Sequence, residues 1–232
     1  MIAVRPAGER GVTRLGWLDS RHSFSFNRYY DPRRMGFRGL RVINEDFIAP
    51  GGKFGRHPHD NMEILTWVLR GAVEHQDSTG ARGLIRPGEV QRMSAGRGIF
   101  HSEANASATE ELHLYQVWIE PGLRDLEPEY EQKAFDEGSR RNRLRLIASP
   151  AGRDGSVTIQ TDAEVYNGLL DAGTAVEYRP AAGRGIWIQA ARGAVKVNGI
   201  ALHAGDAAAV ESEESLRIEA AGDSEVILFD LA

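Results

Sequence analysis

Cysteine is missing from all 232 residues. Its absence excludes disulfides, thiolate metal ligands, CxxC redox chemistry and a cysteine nucleophile together. Long apolar runs are missing too: no stretch reaches the roughly 18 residues that a membrane-spanning helix needs. The opening MIAVRPAGERG lacks the apolar core of a secretory signal. Positive charge is in deficit, with 28 Lys and Arg against 33 Asp and Glu, and a net charge of −5 gives nucleic acid no field to follow. Helical periodicity is nowhere sustained beyond about two turns. The expectation is a cytoplasmic protein that binds neither membrane nor nucleic acid directly.

What the chain has is glycine, 26 of them, punctuating short apolar runs. In the first half LRVINEDFI (40–48), EILTWVLRG (63–71), VQRMSA (90–95) and LHLYQVWIE (112–120) read as strands. In the second half RLRLIAS (143–149), VTIQTD (157–162), IWIQAARG (186–193), AVKVNG (194–199), SLRIEAA and SEVILFDLA do the same. Regular strands without intervening helices predict an all-β fold, a sandwich or closed barrel. The one basic cluster, Arg140, Arg141, Arg143 and Arg145, reads as the wet face of a strand, with a phosphate or partner contact as the alternative.

An internal echo divides the chain. VLRGAVEH (68–75) resembles AARGAVKV (190–197), and a Gly-acid turn follows each, Gly88-Glu89 and Gly205-Asp206. Two domains of similar plan are expected, 1–132 and 133–232, separated within the polar stretch 120–139. Carrying the first half onto the second places His57 and His59 on Arg179 and Ala181, and His101 and Glu103 on Ile218 and Ala220. With His203 as its one histidine, the second half cannot rebuild a site made of three.

Those four residues are the chain's most specific chemical proposal. His57 and His59, and again His101 and Glu103, are spaced i, i+2, which on a strand puts each pair on one face. Two such strands meeting inside a barrel would present three imidazoles and a carboxylate to a single ion. Taken singly, each pair is also compatible with solvated or hydrogen-bonded surface groups. Three neutral imidazoles and one carboxylate suit Fe(II), Mn, Co, Ni, Cu or Zn.

The spacing Gly51, His57, His59, Glu63, Gly71 resembles the first cupin motif, with one extra residue before the last glycine. Gly88, Ser94, Gly96, His101 and Asn105 resemble the second more loosely. The departures match the pirin branch of that superfamily: HPHDNMEILTWVLRGAVEHQDS, MSAGRGIFHSE, WLDSRHSFSFNRYYDP and MGFRGLRVINED are similar to bacterial pirins, particularly those with quercetinase activity. The resemblance covers essentially the whole chain. It implies a bicupin, two jelly-roll β-barrels side by side, with a metal-binding cupin domain (1–132) and a degenerate one (133–232). It also implies His57, His59, His101 and Glu103 as ligands of one divalent transition metal, Fe(II) first, with Ni, Co, Mn, Cu or Zn also fitting. Glu63 is then not expected to bind metal. His75 and His113 are candidates to support the ligands, with packing or surface roles as their default; Phe54, Trp67, Tyr115 and Trp118 are candidates to line a cavity, with core filling as theirs.

The activity implied is flavonol dioxygenation: opening of a quercetin-type ring with O2 and release of carbon monoxide, with Glu103 as the base. The competing expectation is a non-enzymatic regulator or redox sensor acting through a protein partner. A metal-dependent rate separates the two.

Overall fold

The computed structural model describes residues 1–232. The chain runs through β1 (Ile2–Arg5), β2 (Gly11–Leu15), β3 (Leu18–His22), β4 (Leu40–Ile48), β5 (Lys53–His59) and β6 (Glu63–Arg70). There follow β7 (Val73–Asp77), β8 (Arg82–Ile85), β9 (Glu89–Ser94), β10 (Ile99–Asn105), β11 (Leu112–Ile119) and β12 (Glu129–Ala134). After the short helix α1 (Glu137–Arg140) come β13 (Arg145–Ser149), β14 (Val157–Thr158), β15 (Ala163–Leu170), β16 (Ala175–Tyr178) and β17 (Gly185–Arg192). β18 (Ala194–Val197), β19 (Ile200–His203), β20 (Ala207–Glu211), β21 (Leu216–Ala220) and β22 (Ser224–Leu231) complete it.

These elements form two compact units, Gly11–Ala134 with Val157–Thr161, and Met1–Arg10 with Phe135–Ser156 and Asp162–Ala232. A single cut near residue 132 does not describe them. The N-terminal β1 pairs with β20 from Ile2↔Val210 to Arg5↔Ala207, which draws the first ten residues into the C-terminal unit.

The two units share one plan. In the first, a large sheet ordered β12-β9-β6-β11-β4-β3-β2 accompanies a small sheet β5-β10-β7-β8; in the second, β1-β20-β17-β22-β15-β13 accompanies β16-β21-β18-β19. The sheets stay open at their edges, so the closed barrels expected are jelly-roll sandwiches instead. The echoed Arg-Gly-Ala-Val occupies the same place in each, the turn from β6 to β7 and from β17 to β18. Gly71 (φ 80°) and Gly193 (φ 70°) take the left-handed conformation that the turn requires.

The basic cluster is not a strand face. Arg140 ends α1 and is buried, with Nη1 donating to Asn167 Oδ1 at 2.9 Å and Nε to the Phe135 carbonyl at 3.0 Å. The strand begins only at Arg145. VTIQTD is likewise shorter than its composition suggests, keeping strand geometry over Val157–Thr158 alone.

Register decides what faces the interior of the first unit. Directly paired residues share a face, so His22, Asn44, Gln116, Thr66 and Gln91 form one continuous row across β3, β4, β11, β6 and β9. All five are polar. One apolar cluster, including Leu18, Ile48, Leu112 and Leu114, lies to one side of this belt. Another, including Ile64, Met93 and Ile99, lies to the other.

Candidate metal centre

β5 and β10 pair antiparallel, with Ile99 opposite His59 and His101 opposite His57. The pairing brings the two histidine-bearing motifs together. The register shifts between His101 and Glu103, so Glu103 stands opposite Phe54 rather than the residue that unbroken pairing would give.

The three imidazoles converge. His101 Nε2 lies 2.9 Å from Nε2 of His57 and 2.9 Å from Nε2 of His59. His57 Nδ1 lies 2.8 Å from the Gly55 carbonyl. Donating its proton there leaves the Nε2 lone pair pointing at the cluster. Burial, with the facing imidazoles adding to it, lowers His59 to about 4 and His101 to about 3. Both are therefore neutral near pH 7, the form that binds a metal.

These features pass a simple test of fit. Two imidazoles held at about 2.1 Å from one ion and at right angles stand about 3 Å apart. Both separations at His101 meet that condition. The His101 Nδ1 atom, buried and without a protein partner, adds no competing contact that would turn the ring away. The donor set fits a divalent transition metal.

Glu103 is buried and belongs to a second grouping, in which ligand atoms of His75, His101 and Glu103 lie within 4.8 Å of one another. Its carboxylate is held by the polar belt. Gln116 Nε2 donates to Oε2 at 2.8 Å, and Thr66 Oγ1 and Gln91 Nε2 approach Oε1 at 3.4 Å. Thr66 in turn donates to Gln116 Oε1 at 2.6 Å. At its far end, His22 Nδ1 donates to Asn44 Oδ1 at 2.7 Å and Nε2 accepts from the Thr13 hydroxyl at 2.8 Å.

A cavity of about 220 Å³ opens onto this constellation. His57, His59, Glu103 and Gln116 line it with Trp17, Phe26, Phe54 and Trp118. Trp118 meets His59 edge-on, with ring centroids 4.8 Å apart. Of the four candidate aromatics, Phe54 and Trp118 line the cavity, whereas Trp67 and Tyr115 are buried at sequence positions that alternate with the belt and so face away from it.

His75 stands behind the cluster. Its ring is 5.3 Å from that of His101, its Nε2 lies 3.0 Å from Asp77 Oδ2, and Tyr130 stacks on it at 4.8 Å. His113 is remote from the cavity, paired with Glu45 at 2.9 Å and stacked on Phe47. Glu63 is buried and accepts from Ser94 Oγ at 2.7 Å and from the Gln160 amide at 3.1 Å. The belt residues carry no sequence motif, since they come from five strands and no fixed spacing links them. The signal that exposes them is cross-strand register.

Known proteins resemble this chain in sequence and fold. Residues 4–119 match the family model described as Pirin, and residues 146–231 match one described as the quercetinase C-terminal cupin domain. A protein of Escherichia coli K12 named quercetin 2,3-dioxygenase is 50% identical over 231 residues, covering 100% of this chain and 99% of the relative. The crystal structure of YhhW from Escherichia coli superposes with a TM-score of 0.96 at 50% identity, covering 100% of this chain and 98% of that one. A second structure, of bacterial pirin YhhW from Escherichia coli in complex with nickel(II), gives 0.95 at 49% identity, with 100% and 99% covered. With both halves matched and full-length relatives at this identity, the chain belongs to the pirin family, of the cupin fold.

Proposed function

We propose that this chain is a metal-dependent dioxygenase that opens the central ring of quercetin-type flavonols with O2, releasing carbon monoxide and a depside. The observation that carries the reading is the convergence of three imidazoles on one point, beside a carboxylate and an aromatic-lined cavity. The full-length relative named quercetin 2,3-dioxygenase supports the substrate class. His57, His59, His101 and Glu103 would hold the ion, with Fe(II) as the first expectation and nickel supported by the nickel(II) complex of the relative. When bound, a divalent metal supplies Lewis acidity toward oxygen ligands.

The chain's own residues do the rest. Glu103 is the group placed to take the proton of the flavonol 3-hydroxyl. Gln116, Thr66 and Gln91 fix the orientation of its carboxylate, so the base is set before the substrate arrives. Trp17, Phe26, Phe54 and Trp118 offer flat apolar surface to a planar ligand and exclude water from it.

The test is quercetin consumption in air, followed by absorbance, after metal-free protein is reloaded separately with each divalent metal. Loss is expected with the competent ions and is expected to vanish in His101→Ala. In Glu103→Gln, some metal should remain while turnover falls roughly 100-fold or more. Confirmed metal occupancy without turnover by the wild type would reject the dioxygenase reading in favour of a regulator working through a protein partner.

A further inference from the structure

The cavity holds a second carboxylate that neither metal ligation nor proton abstraction uses. Asp46 on β4 is 4% exposed and lines the cavity. Its Oδ1 is buried and has no protein partner. A buried oxygen left without a hydrogen bond is costly, so its persistence in a cavity wall needs a reason.

Register places it. Asp46 pairs with Ser20 on β3 and Leu114 on β11, one level removed from the belt row of His22, Asn44 and Gln116. Two residues along a strand span roughly 7 Å. Trp118, which touches His59, lies on the opposite side of that row. Asp46 thus faces the part of the cavity beyond Glu103 as seen from the histidines, beside Leu18 and Trp17. The second unit provides an internal comparison. Its strand register puts Gly168 in the equivalent place, so a carboxylate at this level is not needed to build the sandwich. Burial pushes the Asp46 carboxyl up to about 7, which lets it donate as well as accept a hydrogen bond near neutral pH.

We propose that Asp46 is a specificity-determining residue: it hydrogen-bonds a phenolic hydroxyl on the ring remote from the histidine cluster, selecting flat polyphenols that carry a second, distal hydroxyl. This rests on the flavonol reading of the same site. It makes Asp46 a recognition group, separate in position and role from Glu103.

The experiment compares quercetin with 3-hydroxyflavone, which keeps the 3-hydroxyl and lacks those on the outer rings. Each is titrated calorimetrically into nickel-loaded protein with O2 excluded. Wild type is expected to prefer quercetin by about tenfold or more, Asp46→Leu to bind the two within about threefold, and Asp46→Asn to fall between. An unchanged preference in Asp46→Leu overturns the role of Asp46 while leaving the flavonol reading intact. Failure of both ligands to bind wild type overturns the two together. A crystal structure of the quercetin complex decides independently of how the variants fold. A ligand oxygen within hydrogen-bond reach of Asp46 Oδ1 is expected, and a ligand that leaves that atom to water overturns the assignment.

Discussion

Single titrating side chains give the interior of the first unit opposing responses to pH. His59 and His101 are lowered to about 4 and about 3, well under the 6.5 of the free side chain. Between those values the unfolded chain binds protons that the fold refuses, so their contribution weakens the metal-free fold as pH drops below about 6.5. Asp46 acts in the other direction. Raised from 3.8 to about 7, it binds a proton in the fold that the unfolded chain has released. Its contribution is complete below about 3.8 and is lost as pH rises through 7. Asp46→Asn removes that loss. The difference in Tm between variant and wild type, measured without metal, should therefore grow in favour of the variant from pH 5 to pH 8; a flat or shrinking difference would contradict the burial of this carboxyl. At this scale the sequence was explicit about His57, His59, His101 and Glu103, because their spacing is itself the signal. It was silent about Asp46, whose setting depends on Ser20 and Leu114 brought from distant strands.

Among the elements, turns and register were unequally visible. LRVINEDFI, at 40–48, coincides with β4 because apolar residues and turn signals bound it clearly. AEVYNGLL, at 163–170, escaped notice because Asn167 and Gly168 interrupt the pattern, although Asn167 is fully buried and held by Glu225 and Arg140. β1 was invisible too, since four residues gain strand geometry only by pairing some 200 positions away. The repeated glycine turn, by contrast, was legible and has a steric basis. A Cβ on Gly193 would stand 2.3 Å from the Asp223 carbonyl oxygen, whereas one on Gly51 would meet nothing within 4 Å, though both residues have positive φ. Gly193→Ala should therefore cost clearly more stability than Gly51→Ala, whose penalty is the conformational one of roughly 1 kcal/mol. Denaturant midpoints of the two variants compare them, and equal losses would mean that the turn relaxes.

Across the whole molecule, one architecture occurs twice with opposite interiors. The row Asn44, Gln116, Thr66 and Gln91 has as its counterpart Tyr166, Leu228, Ile188 and Ala208, matched by cross-strand register. Ile218 and Ala220, the positions onto which His101 and Glu103 map, are buried in the apolar core of the second unit. Polar groups enter the interior where chemistry is proposed, and aliphatic side chains with one tyrosine fill the same places where it is not. The chain should bind one divalent ion, not two, by metal analysis after gel filtration. Loading at about 100 times Kd should add about 2.7 kcal/mol to the stability of the metal-binding state. His57→Ala should lose both the ion and that gain; a second equivalent surviving in the variant would place a site elsewhere. The echo of Arg-Gly-Ala-Val announced two halves, but the exchange of β1 between them lay beyond any local pattern.

The edge-on contact of Trp118 with His59 also gives the molecule an optical property. Of four tryptophans, Trp17 and Trp118 line the cavity, while Trp67 and Trp187 are buried away from it, 2% and 0% exposed. The indole fluorescence should thus contain one contribution from rings at the cavity and one from rings packed in the core. A quenching ion held beside His59 should dim the first contribution more than the second, so that the native chain would report on its own cavity without a label.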